Sequence, residues 1–399
     1  MTKEELLKKL QMNLRTYTMI FALLFIWVLF GFLTDWVFFY PRNLSNLFRQ
    51  MTIISFLAIG MVLVIVTGNI DLSVGSVTGF ISAVAAGFQA YIFPDLLPTL
   101  FPGITQPALG IISTILTVII ALFVGVIIGI WQGAIVAYFG VPAFIVTLGG
   151  MRIFRGGVLG VTQGKTIVPI EEPLRLVAQG YVPKTAGLVI TMIVIVFIFW
   201  GILWNRKKQQ EYGFTLKPLY FDLLRAVFFS ALVLAYVIIM NVYRGIQNPV
   251  LLMAIVALIF SYLATNTRFG RYAYAVGGNK EATRLSGINV KANVFKVFIL
   301  MGVLCAISGL VLTSRVGAGS TSGGENYELS AIAACVIGGT SLMGGEGTIL
   351  GALIGSLIMA SLENGMSVMN MDIFWQLIIQ GLVLILAVFV DVYSKKSRA

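Results

Sequence analysis

Arg271 to Lys296 reads RYAYAVGGNKEATRLSGINVKANVFK, a polar and basic island between two long apolar runs. In a chain with only 11% charged residues, Asn279, Lys280, Glu281, Thr283, Arg284 and Ser286 crowd between Gly277-Gly278 and Gly287. So many polar groups in one turn-bounded segment require water. Asn279 is placed to cap a short helix, Glu281 complements the helix dipole near its N-terminus, and Arg284 falls one turn on. The spacing predicts a short exposed helix lying along a membrane surface, ready for a partner. Read alone, such a segment need only be a solvated link between spans.

The rest of the chain sets the fold class. Hydrophobic residues make up 58% of it and the mean hydropathy is +0.96, with about twelve apolar segments, two of them short or glycine-broken. The predicted fold is all-α: a polytopic helical membrane protein with an inverted repeat and short or broken helices. One transmembrane domain covers about residues 17–393, with a cytoplasmic segment 1–16 before it and a cytoplasmic tail 394–399 after it. In the first segment Thr2 and Glu5 form a capping-box pattern, and Leu6, Leu7, Leu10 and Leu14 follow at helical spacing, as an amphipathic helix on the inner leaflet would, with a disordered tail as the alternative.

A formal charge of +11 invites a nucleic-acid partner, but the Lys and Arg are strung between spans with no basic face or nucleic-acid motif. Topology accounts for them. With the N-terminus inside, 17 of the 27 basic residues fall on the cytoplasmic side, in the N-terminal segment, around Arg206 to Lys217, between Arg268 and Lys296, and in the tail. Both termini are then cytoplasmic. Cys305 and Cys335 lie in apolar surroundings, without metal or redox spacing, and there is no histidine. No metal or cofactor is expected, nor chemistry on a substrate.

In chain order, the first span runs from about Tyr17 to Tyr40 and the second from about Leu47 to Thr67, with Pro41, Asn43 and Ser45 in the turn between. GNIDLSVGS then breaks the apolar pattern. An acid at a helix centre in a membrane costs about 2.5 to 3.5 kcal/mol, so Asp71 either faces a cavity or caps the next helix, and both roles can hold together. Pro94, Pro98, Pro102 and Pro107 predict an irregular external loop. Gly125, Gly129 and Gly133 predict a groove for close helix approach, and Arg152 and Arg155 should point into a bundle or an interface. Gly160 to Thr166 imitates a phosphate loop but has Leu159 where its first glycine belongs, and it follows a membrane span rather than a strand. Arg206, Lys207 and Lys208 predict a basic loop between two further spans, and Gly317 to Gly324 a flexible external loop. The region Asn326 to Gly347, opening on Asn326-Tyr327-Glu328-Leu329-Ser330 and ending in glycines, predicts a short broken or re-entrant helix.

Asn69-x-Asp71-Leu72-Ser73 and Asn326-x-Glu328-Leu329-Ser330 share one pattern, each after a span containing Gly-x-Val-Leu, at Gly60 and Gly309. By the span count the first motif enters from the cytoplasm and the second from outside. The two halves, about 41–162 and 280–393, are therefore expected to be inverted repeats, which place a pathway between them.

GNIDLSVGS, VPAFIVTLGGM, GRYAYAVGGNKEATRLSGIN, YELSAIAACVIGGTSLMGGEGTILGALIG and the ending LAVFVD together resemble the permease subunits of bacterial ABC importers for ribose, xylose and related sugars. The resemblance implies a homodimer in the cell inner membrane, a cytoplasmic ATPase subunit, an extracytoplasmic sugar-binding protein and a monosaccharide substrate. It implies that Glu281, Ala282, Thr283, Arg284, Leu285, Ser286 and Gly287 contact the ATPase, and that Asp71, Ser73, Glu328 and Ser330 lie near the translocation path. Inserted spans at about 186–248 and the segment MASLENGMSVMNMDIFWQ make the chain similar to the xylose-type permeases, with a multiple-monosaccharide (arabinose and galactose) permease as the alternative. From another class, an ion-coupled secondary carrier would use Asp71, Glu328 and Glu346 as cation ligands or proton relays.

Overall fold

The computed structural model describes residues 19–213 and 218–396, side chains through 389. The amphipathic helix expected before Arg15 and the last three residues of the expected tail lie outside the described residues. The chain is an all-helical, polytopic membrane protein. Among the described residues, nine helices are long and apolar enough to cross a membrane, and three shorter apolar helices join them.

The helices are α1 (Met19–Leu33), α2 (Pro41–Val66), α3 (Val74–Gly87), α4 (Phe93–Leu100), α5 (Gln106–Ala137), α6 (Ala143–Thr162), α7 (Glu172–Gln179), α8 (Lys184–Glu211) and α9 (Leu219–Tyr243). They continue with α10 (Asn248–Asn266), α11 (Arg268–Gly278), α12 (Lys280–Leu285), α13 (Val290–Val316), α14 (Tyr327–Ile337), α15 (Ile349–Val368) and α16 (Ile373–Lys396). The end of the bundle that carries α11 and α12 is called the basic end, and the opposite one the far end. α2 is the central post, its apolar window 89% buried inside the protein, against 11% for α8 and 22% for α9. α13, α14, α15 and α10 surround α2, while α8 and α9 pack chiefly on each other at the periphery.

α13 meets α5 through the glycine groove. A side chain at Gly129 would meet the Phe298 carbonyl at 2.6 Å and one at Gly133 the Phe298 Cβ at 2.9 Å, while Gly125 and Gly302 lie against each other's carbonyls. With lipid as apolar as any side chain, such close backbone approach supplies van der Waals contact that larger residues would forfeit.

Several expectations are corrected. α2 begins at Pro41, which takes a first-turn position where its missing N–H has no intrahelical partner to lose. α1 ends at Leu33, and a 3-10 turn, Val37–Phe39, follows it. The proline-rich stretch is largely helical, because a π-helical turn, Phe88–Ile92, resets the spiral and places Pro94 in the first turn of α4; Pro107 opens α5 in the same way. Arg206, Lys207 and Lys208 are not loop residues: α8 continues through them, and Arg206 pairs with Asp222 of α9 at 2.6 Å. Nor is Gly317 to Gly324 a loose external loop. Ala318, Gly319 and Gly324 are buried, and Gly319 bridges to Ile167. Both cysteines are buried and free.

Replacing Gly302 by Leu overpacks the α5–α13 contact and should lower stability by about 1–3 kcal/mol, whereas Gly156→Leu, where no atom lies within 4 Å, should leave it unchanged. Thermal unfolding of the purified protein in detergent checks both; equal midpoints for the two variants would contradict the packing account.

Candidate functional site

At the basic end the polar island folds as its residues dictate. Thr267 caps α11, its hydroxyl accepting from Gly270 N at 3.2 Å. Asn279 caps α12, accepting from Ala282 N at 2.9 Å, and Asn289 caps α13 in the same way from Ala292 N at 2.9 Å. Gly287, at φ 79°, takes the left-handed turn between α12 and α13 that an L side chain would resist.

The helix α12 has two faces. Thr283 is buried and donates to the Ala275 carbonyl at 2.8 Å, which fixes α12 to α11. Ser286 donates back to the Ala282 carbonyl at 2.9 Å and closes the helix. Glu281 and Arg284 pair at 2.9 Å on the open face, and Leu285 stands 82% exposed beside them. An ion pair this wet contributes about 0–1 kcal/mol, so its effect is to orient two charges rather than to stabilise the fold. Ala282 and Gly287 are exposed as well.

α11 carries this helix onto the core. Gly277 lies against the Val66 carbonyl, and a side chain there would also meet Gly345 N at 2.6 Å. That carbonyl accepts from Gly345 N at 2.9 Å, and Tyr274 donates its hydroxyl to the Gly347 carbonyl at 2.8 Å. Burial pushes the Tyr274 hydroxyl above the usual phenol range, so it remains a neutral donor. Three segments therefore meet at one joint: α11, the end of α2 and the glycine strap that follows α14.

The second cluster lies halfway along the bundle. α3 begins beside the middle of α13, where Cys305 Sγ contacts the Val74 carbonyl at 3.7 Å, and it runs toward the far end with Thr313 bonded to Ser82 at 2.8 Å. α14 begins beside the start of α3 and runs the other way, since Gly323 and Gly324 lie against Gly79 and Gly75, and Cys335 contacts the Ala58 carbonyl at 3.3 Å. Residues after α14 continue to the joint at Gly345.

Asp71 is 2% exposed, and its Oδ1 accepts from Ser73 N at 2.8 Å and Ser73 Oγ at 2.6 Å. It does not cap α3. Ser73 holds the cap position, and Asp71 fixes the turn in front of it. Gln132 of α5 donates to Ser73 Oγ at 2.8 Å and completes a buried relay. Glu328, in the first turn of α14, is 8% exposed; its Oε2 lies against Gly75 and has no hydrogen-bond partner. Nearby, Arg155 of α6 pairs with Glu325 at 2.9 Å and donates to the Gly323 carbonyl at 3.4 Å, which accounts for one of the two intramembrane arginines. Arg152 is exposed on this chain.

The structure thus brings Asp71 and Ser73 together and sets Glu328 across the start of α3. Ser330 belongs elsewhere: with Asn326 and Leu329 it lines a groove of about 260 Å³ beside α15 and α16. Sequence reasoning missed Gln132, whose signal was a lone amide between Gly129 and Gly133 in an apolar span. It also missed the Gly277 joint, for which no local signal exists.

The family model described as branched-chain amino acid transport system / permease component matches residues 43–388. The xylose transport system permease protein of Haemophilus influenzae is 42% identical over 386 residues, 96% of this chain and 98% of that protein. That of Escherichia coli K12 is 43% identical over 96% of this chain and 93% of its own length. The ribose import permease protein of Haemophilus influenzae is 34% identical over 89% of this chain and 87% of its own length. No solved structure matches the chain. The match spans both halves of the bundle, the joint and the two helix starts, and the chain belongs to this family of transport-system permease components.

Proposed function

We propose that the chain is the membrane-spanning subunit of an ATP-driven importer of a monosaccharide, D-xylose, working with a separate ATPase subunit and a separate sugar-binding protein in the bacterial inner membrane. The observation that carries this reading is α12: an exposed helix with an oriented Glu281–Arg284 pair and a bare Leu285, tied through Thr283 and Gly277 to segments that reach the bundle centre. Docking surfaces concentrate their energy in a few apolar anchors ringed by polar groups, and Leu285 with its charged neighbours fits that pattern. The near-full-length identity to two xylose permeases, inserted hairpin α8–α9 included, supports xylose as the sugar.

In this reading the basic end is cytoplasmic, both termini face the cytoplasm, and two copies of the chain form one path. The expected inverted repeat is supported by α3 and α14, which start side by side and run in opposite directions. Asp71, Ser73, Gln132 and Glu328 surround those starts and lie near the path. Ser330 belongs to the same expected set and lines the groove beside α15 and α16. The ion-coupled rival would draw on the Glu328 carboxylate, whose Oε2 has no hydrogen-bond partner, and the energy source of uptake separates the two readings.

Leu285→Ala should weaken ATPase docking about tenfold, which is ~1.4 kcal/mol, without changing the thermal midpoint. Thr283→Val should impair docking and stability together, since it removes buried hydrogen bonds of about 1 kcal/mol. Pull-down titration of the ATPase alongside thermal unfolding checks both; unaltered docking in Leu285→Ala would remove α12 as the contact. In proteoliposomes containing the ATPase and binding protein, D-xylose uptake should require ATP and should fall below about a tenth in Gly75→Val, where the new side chain collides with Glu328. Uptake driven by an ion gradient without ATPase would establish the rival instead.

A further inference from the structure

A cavity of about 440 Å³ opens at the far end, where the start of α2 faces the segment between α7 and α8 and the end of α9. This is the size of a small-molecule site. Its walls include Arg42 and Arg49 from α2 and the rings of Tyr40, Tyr181 and Tyr243, and no acidic side chain lines it. Arg49 stands 4.9 Å from the centre of the Tyr181 ring, and Arg244 lies 5.8 Å from the same ring and 5.5 Å from that of Tyr243. Two guanidinium groups, those of Arg42 and Arg49, thus line one aromatic-walled hollow, with Arg244 on the same rings outside its lining. Arg49 Nε and Nη2 are buried and have no hydrogen-bond partner. No acceptor among the described residues meets those two donors.

The chemistry that suits two guanidinium groups on one cavity with no acid in its lining is a phosphate, whose oxygens accept from more than one fork at once. The surroundings select the phosphate of a lipid headgroup. Val37 and Tyr40 on the rim are 39% and 58% exposed, and Val242, next to Tyr243, is 68% exposed. These apolar surfaces continue from the cavity mouth onto α9, along which acyl chains can lie. Aromatic residues at such a boundary match the headgroup level of a bilayer.

We propose that this cavity is a binding site for the phosphate of an anionic phospholipid, held by Arg42 and Arg49 and flanked by Tyr181 and Tyr243. It is separate from α12 and from the helix starts at the bundle centre, and it does not depend on the sugar that is carried.

The test uses the delipidated full-length protein in detergent, titrated with phosphatidylglycerol and read by native mass spectrometry. Arg42→Gln, a change at an exposed position, and Arg49→Gln should each weaken phosphatidylglycerol binding about tenfold. Lys165→Gln, which removes an exposed cation at the same end but outside the cavity, should leave binding unchanged. Thermal midpoints identify a variant that fails to fold, and Arg42→Gln decides the matter if Arg49→Gln does. Millimolar inorganic phosphate should not displace the lipid. Full displacement by inorganic phosphate would make the occupant a free anion and overturn the lipid assignment. Equal lipid binding by wild type and both arginine variants would overturn the site. If lipid binding were intact while stimulation by the sugar-binding protein disappeared, the cavity would be a protein-docking surface and the proposal would fail.

Discussion

Two helices that start in the middle of an apolar bundle create the demand to which the centre of this protein responds. The first N–H groups of α3 and α14 have no intrahelical partners, and no bulk solvent is available at that depth to take their place. Each start carries positive dipole charge. Asp71 and Glu328 stand at these two starts, where the helix dipole favours an acid that is otherwise costly in a membrane. Their neighbours follow from the same demand. Gly75 and Gly79 leave room for Gly323 and Gly324, so that the descending loop can bring the second start beside the first. Ser73 and Gln132 then satisfy the polar atoms around Asp71.

The centre and the basic end are joined by backbone rather than by long side chains. Val66 ends α2 just before the turn that leads to Asp71, and Gly345 lies in the strap that leads away from α14. Gly277 touches both, with no side chain interposed. A shift of α11 is therefore felt at the segment entering α3 and at the segment leaving α14 together. Side chains can absorb a displacement by changing rotamer, whereas backbone in contact with backbone transmits it. Contiguity gives the route, and the coupling energy along it is a separate quantity that double-mutant cycles measure.

What the sequence makes legible here is what depends on neighbours in the chain. The cap at Asn279 and the glycine groove of α5 are set by local spacing and found where the residues put them, and the apolar runs give the spans, though not all of their ends. The misreadings share a different origin. Prolines 94 and 107 signal a break, but a π-turn and a helix start absorb them; Arg206 signals water, but a partner on α9 keeps it on a helix. Glycines 317 to 324 signal looseness, whereas they permit close packing against α3. In the last two cases the residue type is right about its local liberty, and a distant partner decides how that liberty is used. The Ser73–Gln132 bond and the Gly277 joint are wholly of that second kind, which is why Ser330 could be matched to Ser73 by pattern and yet face another groove.

The hairpin α8–α9 shows how a peripheral element can be held with little buried area. Its windows are the least buried with α6, so apolar packing alone fixes it weakly. At the basic end Arg206 and Asp222 tie the two helices to each other. At the far end the connection is of another quality. Gln247, fully buried, donates to Ser45 Oγ of α2 at 2.8 Å and accepts from the Tyr236 hydroxyl of α9 at 2.7 Å. Bonds of this kind gain from the low dielectric around them, and breaking one strands a buried polar atom. The hairpin is accordingly anchored at the far end, beside the arginine-lined cavity, so a ligand held there would bear on both the hairpin and the start of the central post.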